Sequence, residues 1–120
     1  MSKCDIELNK KITDSLKENG WSLYISDRHD KWGYDAEVGK GSPLGEDFNA
    51  SFQFDGTDKD FIKQFRECAD DFDAEEHASF YINMRGQNGV PGSIKDLLED
   101  AEDIGEMLTD MADILDALKL

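Results

Sequence analysis

The sequence predicts an α+β fold, in which a three-stranded antiparallel sheet is packed by helices and followed by a long C-terminal helix. Two observations predict this class. Three runs in the first half of the chain alternate apolar and polar residues, as strands with one buried face do. The last quarter repeats apolar residues every three or four positions, as an amphipathic helix does. At 120 residues the chain is expected to form a single domain, 1–120.

The N-terminal half holds the first helix and the sheet. A helix is predicted over 5–19, because apolar residues at helical steps line one side and Asn19-Gly20 ends it. The alternating runs then predict three strands joined as a meander. The predicted strands are 21–26, 32–39 and 48–54. Tyr24 alternates to the polar side of its strand, so it is expected to be exposed.

The C-terminal half is predicted to be helical. Thr57 or Asp58 is expected to cap the first of three helices, and Ser93 is expected to cap the last. Asp73 begins the helix between them. The predicted helices are 59–71, 73–84 and 94–118. At ~1.5 Å per residue the last would be about 37 Å long.

One side of the C-terminal helix is apolar and is expected to pack on the sheet or on other helices. Its residues are Ile94, Leu97, Ala101, Ile104, Leu108, Met111, Leu115 and Leu118. This side is wider than a coiled-coil seam, because further apolar residues flank it. The flanking residues are Leu98, Met107, Ala112 and Ile114. If the helix overhangs the sheet, its end (Met111, Ile114, Leu115 and Leu118) offers a homodimer contact.

The opposite side carries six carboxylates in steps of three and four. They are Asp96, Glu99, Asp103, Glu106, Asp110 and Asp113, with flanking charge from Asp100, Glu102 and Asp116. Like charges at these steps destabilise a helix by about 0.2–0.5 kcal/mol per pair. Acids near a helix C-terminus also oppose the helix dipole. The row therefore predicts a surface that binds something basic, and the alternative is a solvated face that serves only solubility.

Net charge supports a basic partner. The chain carries a formal charge of −15, with seven basic and eight acidic residues in 1–40, against six and twenty in 41–120. Direct binding to nucleic acid or to an acidic membrane is disfavoured, because both need a basic surface. A basic nucleic-acid-binding protein is the expected partner. Glu46 and Asp47, in a segment rich in glycine, are expected to extend the acidic surface.

No catalytic or metal-binding motif is present, so the chain is predicted to be no enzyme and to need no cofactor or metal. His29 beside two aspartates lacks a recognised ligand spacing, and the acid-rich run 70–76 lacks the pattern of an EF-hand loop. The glycines of 85–93 lack the Walker spacing. That segment is interpreted as a connector, with a site for a small anion or nucleotide signal as the minor alternative.

Cysteine usage and hydropathy indicate the cytosol. Cys4 and Cys68 form neither a CxxC motif nor a disulfide framework, which favours reduced thiols. Residues 1–20 lack the apolar core of a signal peptide, and no apolar run approaches the ~18 residues of a membrane span.

Four motifs carry a resemblance to a known family. They are SPLGEDF at 42–48, DFDAEEH at 71–77, RGQNGVPGSI at 85–94 and LLEDAE at 97–102. With this order of motifs, residues 32–118 resemble a family of small acidic proteins encoded by phages and integrative elements of bacteria. The family has no settled activity, so the resemblance implies no catalytic role. It does imply a mobile-element context in a bacterial host cytosol, where small acidic proteins often inhibit host defences.

Three functional hypotheses remain from the sequence. The first is an inhibitor of a host defence nuclease, such as a CRISPR nuclease, in which the six carboxylates stand in for nucleic-acid phosphates. The second is a homodimeric or assembly module that uses the apolar helix face and Tyr24. The third is a binder of small ligands, such as nucleotide signals, through the glycine-rich segment 85–93.

Overall fold

The computed structural model describes residues 8–27, 33–42, 47–81 and 93–118. The predicted α+β class is confirmed: a three-stranded antiparallel sheet packs against helices, and a long helix forms the C-terminal part. The elements are α1 (Lys10–Glu18), β1 (Ser22–Asp27), β2 (Tyr34–Gly41), β3 (Asp47–Phe54), α2 (Asp58–Asp71), α3 (Ala74–Tyr81) and α4 (Ile94–Asp116).

The sheet is a meander in the order β1-β2-β3, and its register separates two chemically different faces. Val38 of β2 lies opposite Leu23 and Ala50, and this row faces the helices. Glu37 lies opposite Tyr24 and Ser51 on the other face. Tyr24 is 58% exposed there, so its predicted exposure is confirmed. The alternation in the sequence thus gave the correct buried face.

The core lies between the inner face of the sheet and the helices. α1 contacts β1 and α4, whereas α2 contacts β3 and α4. Trp21 packs edge-to-face on Phe48 and Phe65, with ring centroids 6.4 and 5.8 Å apart. Such aromatic pairs add stability beyond the area that they bury. Large rings therefore join the sheet to α2 in this core.

Short polar side chains begin the helices as predicted. Thr57 Oγ1 accepts a hydrogen bond from the Asp60 amide, and Ser93 Oγ accepts one from the Asp96 amide, both at 3.1 Å. Asp73 accepts bonds from the first amides of α3, at 3.0 and 3.1 Å. Each bond satisfies a donor that the first turn of a helix leaves without an intrahelical partner.

Some boundaries differ from the prediction. α1 begins at Lys10 rather than at residue 5, because the Asn9 side chain accepts from the Lys11 amide and caps the helix there. β2 continues to Gly41 because it stays paired with β3 up to that residue. The predicted structure at 5–7, 32 and 82–84 falls outside the described residues.

The apolar side of α4 packs into the core as predicted, except at its start, where Ile94 is 48% exposed. The predicted dimer contact at its other end requires exposed residues, and this requirement is not met. Met111 and Leu115 are almost completely buried, and the half-buried Ile114 and Leu118 pack on the same core. α1, α2 and α3 all contact α4. Within the described residues, no helix has the length and apolar character needed to cross a bilayer.

Candidate acidic interface

Most of the exposed residues of α4 are acidic. Seven of its acidic side chains are exposed, and we call them the acidic face: Asp96, Glu99, Glu102, Glu106, Asp110, Asp113 and Asp116. Asp103, which the sequence places in the same row, is half-buried. Lys95 is the one basic residue within α4. The face points outward because the apolar residues on the other side of the helix fix its rotation about its axis.

The spacing of these charges is sparser than that of DNA. Asp96 and Asp116 are about 30 Å apart along the axis, at ~1.5 Å per residue, so the seven acids recur about every 5 Å. One DNA strand presents a phosphate about every 3.4 Å of axis, and the duplex one about every 1.7 Å. The acidic face therefore has the regularity of one phosphate row at a lower charge density.

Arg66 neutralises one end of the acidic face. Its guanidinium reaches across from α2 and forms ion pairs with Asp113 and Asp116. Nη2 and Nε donate to Asp116 Oδ2 at 2.6 and 3.0 Å. The hydrogen bond to Asp113, followed by the one to Asp116, raises the pKa of Arg66 above its usual value. The arginine also places a positive charge near the C-terminal end of α4, where the helix dipole favours one and the last turn has no basic residue of its own.

No described residue neutralises the rest of the acidic face in this way. Among the described residues, no lysine or arginine lies within ion-pair distance of its other five members. Those five are Asp96, Glu99, Glu102, Glu106 and Asp110. The two acids paired with Arg66 keep 64% and 47% of their side chains exposed. Within the part of the chain that the structure describes, an incoming cationic surface would therefore meet five carboxylates without a basic partner and two that are shared with Arg66.

Asp100 does not belong to this surface, so its assignment as flanking charge is wrong. It is completely buried, and it accepts a hydrogen bond of 2.7 Å from the buried hydroxyl of Ser42. The reason is its position three residues after Leu97 and four before Ile104, which places it on the core side of the helix. That spacing was visible in the sequence. The hydrogen bond offsets part of the cost of burying a carboxylate.

The second predicted acidic group lies largely outside the described residues. Glu46 falls outside them, as does most of the glycine-rich segment 85–93. The backbone of Asp47 begins β3 opposite Gly41, and the placement of its side chain is not described. The acidic interface described by the structure therefore consists of α4 alone.

Sequence reasoning missed an aromatic cluster at the corner between α2 and α3. Phe72 and His77 meet there with ring centroids 5.4 Å apart, and each lies 5.9 Å from Phe48. No local pattern in the sequence indicates that these three rings meet. Among the described residues, no group of three or more histidine, cysteine or acidic side chains is placed to hold a metal ion.

Comparison of the chain with protein-family models, with curated proteins and with solved structures gives no match. The resemblance carried by the four motifs stays a prediction.

Proposed function

We propose that this protein is a non-enzymatic inhibitor from a phage or other mobile element, and that its acidic face occupies the basic nucleic-acid-binding channel of a host defence nuclease. A CRISPR nuclease is the first candidate. The observation that carries the proposal is the exposure of seven carboxylates along one side of α4, of which Arg66 pairs with only the last two. The family resemblance supplies the biological setting.

The mechanism is competition for a cationic groove. A nucleic-acid channel is lined with lysine and arginine, and an acidic rod about 30 Å long would form several ion pairs there at once. Long-range attraction between this protein, with its formal net charge of −15, and a basic channel would speed association. Because exposed ion pairs are screened by salt, we expect affinity to fall steeply as the salt concentration rises.

The energetics of α4 support a role other than stability. Glu106, for example, has a like charge three or four residues away at Glu102, Asp103 and Asp110. Each such pair lowers helix stability by about 0.2–0.5 kcal/mol. Mixed charges would give the same solubility without this cost. A surface that binds a basic partner explains the uniform sign, because the repulsion is relieved in the complex.

A charge-matched pair of variants tests the proposal. The first replaces Asp96, Glu99, Glu106 and Asp110 with lysine; the control replaces four exposed acids elsewhere, Asp14, Glu18, Asp35 and Glu37. Both changes shift the net charge equally. Binding and DNA cleavage would be measured with a panel of purified CRISPR nucleases and restriction enzymes, at low and high salt.

The proposal expects inhibition by the native protein and by the control, and none by the α4 variant. Circular dichroism would establish that both variants are folded. Undiminished inhibition by a folded α4 variant would contradict the proposal. Equal loss in both variants would also contradict it, because net charge alone would then account for the effect.

The assembly hypothesis has one observation in its favour. Tyr24 is 58% exposed on the outer face of the sheet, next to Glu37 and Ser51 on the neighbouring strands. Exposed tyrosines are common at protein interfaces. Sedimentation at two salt concentrations separates the two hypotheses: a salt-insensitive dimer lost in Tyr24→Ser favours assembly through the sheet.

A further inference from the structure

A cleft of about 420 Å³ opens between β3 and the corner where α2 passes into α3. The rings of Phe48, Phe72 and His77 line it. Phe48 stands almost perpendicular to Phe72, at 88°. A cavity of this size is in the range of sites that hold a small ligand or an anchoring side chain. We call it the corner pocket.

The chain geometry at the corner fixes these rings. α2 ends at Asp71, Phe72 has extended backbone angles, and Asp73 starts the next helix as its cap. Gly105 of α4 lies directly behind Phe72, because a Cβ at position 105 would be only 3.3 Å from Phe72 Cδ2. The ring is therefore held against α4 from one side while it lines the corner pocket.

The pocket is rimmed by negative charge. Asp71, Asp73 and Glu76 line it and are exposed, and no lysine or arginine is among its described lining residues. Burial raises the pKa of Cys68 on the pocket wall, and the charge of Asp71 raises it further. Aromatic rings below and carboxylates at the rim are the combination that recognises an organic cation.

We propose that the corner pocket receives an arginine side chain of a protein partner. A guanidinium is flat, stacks on aromatic rings and donates forked hydrogen bonds to carboxylates, so it matches both parts of the pocket. Lysine matches less well, since its ammonium is compact and strongly hydrated.

This site is separate from the acidic face of α4. None of its lining residues belongs to that face, so the corner pocket would bind arginine even if the face served only solubility. If both sites act, the arginine would be a specific anchor within an interface that the acidic face forms by charge. Small anchors of this kind often supply much of the binding energy of an interface.

The test is a nuclear magnetic resonance titration of the ¹⁵N-labelled protein with the peptide acetyl-Gly-Arg-Gly-amide. The same peptide with citrulline, which is neutral and nearly isosteric with arginine, and with lysine provides the ligand controls. The pocket variant is Asp71→Asn with Glu76→Gln, which leaves the cap at Asp73 in place. Its matched control is Asp110→Asn with Glu99→Gln on α4, which removes the same charge.

We expect the arginine peptide to shift amide resonances in 48–50 and 68–77 most, and the citrulline peptide to shift none. The pocket variant should bind it about three- to tenfold more weakly, the effect of losing two exposed ion pairs, while the α4 control binds as the native protein does. Equal binding of lysine, equal loss in both variants, or shifts confined to α4 would each overturn the proposal. Loss of inhibition in the α4 variant bears only on the proposed function.

Discussion

The residue patterns on the inner and outer sides of α4 have different physical explanations. The inner side is explained by folding: Leu97, Ile104 and Leu108 are almost fully buried and pack in two apolar clusters that join the helix to the rest of the protein. The outer side works against folding, since like charges recur along it. A pattern that the core requires says little about function, whereas one that lowers stability calls for another explanation. The outer side is therefore where a partner is expected.

One residue departs from this division. Asp100 is a carboxylate on the inner side, where it accepts a hydrogen bond from Ser42. Its side chain belongs to the packed interior and not to the outer surface. Acidity alone therefore does not mark a binding residue on this helix; acidity combined with exposure does.

The largest predicted effect is on the inner side. Leu108→Ala should lower the free energy of unfolding by about 2–5 kcal/mol, because it removes buried methyl groups and leaves a cavity. Urea denaturation measures this change. Thr109→Ala, at the next and exposed position, should change it by no more than about 0.5 kcal/mol. Similar losses in both would contradict the assignment of inner and outer sides.

Removing the Ser42 hydroxyl, which donates a hydrogen bond to Asp100, should have the next largest effect. Ser42→Ala deletes a buried hydrogen bond to a carboxylate, and we expect a loss of about 1–3 kcal/mol in the free energy of unfolding. Ser51→Ala, which removes an exposed hydroxyl on the outer face of the sheet, is the control. A Ser42 variant as stable as the control would show that the hydrogen bond contributes nothing.

Neutralising the outer side should raise stability. Glu106→Gln removes three repulsions within α4, which corresponds to about 0.5–1.5 kcal/mol at low salt. The gain should shrink in 1 M salt, where the screening length is about 3 Å. Under the proposed function the same variant binds the nuclease more weakly. Unchanged or lower stability would mean that the charges of α4 do not oppose its folding.

The smallest effect on stability is expected at Arg66 of α2, which forms ion pairs with the last two acids of the acidic face. Arg66→Gln removes exposed ion pairs with Asp113 and Asp116, which are worth about 0–1 kcal/mol. A double-mutant cycle with Asp116→Asn measures the coupling, and high salt should reduce it. A coupling above 2 kcal/mol would show that the pair contributes far more than exposed ion pairs do.

The sequence allowed the local patterns to be predicted but not the contacts between distant elements. The strands and both sides of α4 follow from residue spacing within single elements. The burial of Asp100 was also present in that spacing. Arg66, in contrast, meets its partners 47 and 50 positions away, and no local pattern signals such a pair.

The corner pocket was equally invisible in the sequence. It joins Phe48 of β3 to Phe72 and His77 at the corner, and Gly105 of α4 permits the close approach of Phe72. Four elements must be assembled before these residues meet. The acid-rich run 70–76 lacks the pattern of an EF-hand loop, and its spacing does not show the rings beneath it, because they come from tertiary packing.

The hydrogen bond from Ser42 to Asp100 has a consequence for mutational scanning. It links Ser42, which directly precedes residues 43–46, to α4, the helix whose acidic residues a scan would replace. A substitution of Asp100 would break this hydrogen bond as well as remove a carboxylate. Loss of activity there would be easy to misread as a lost contact with the target, so position 100 is best excluded from any count of residues that touch it.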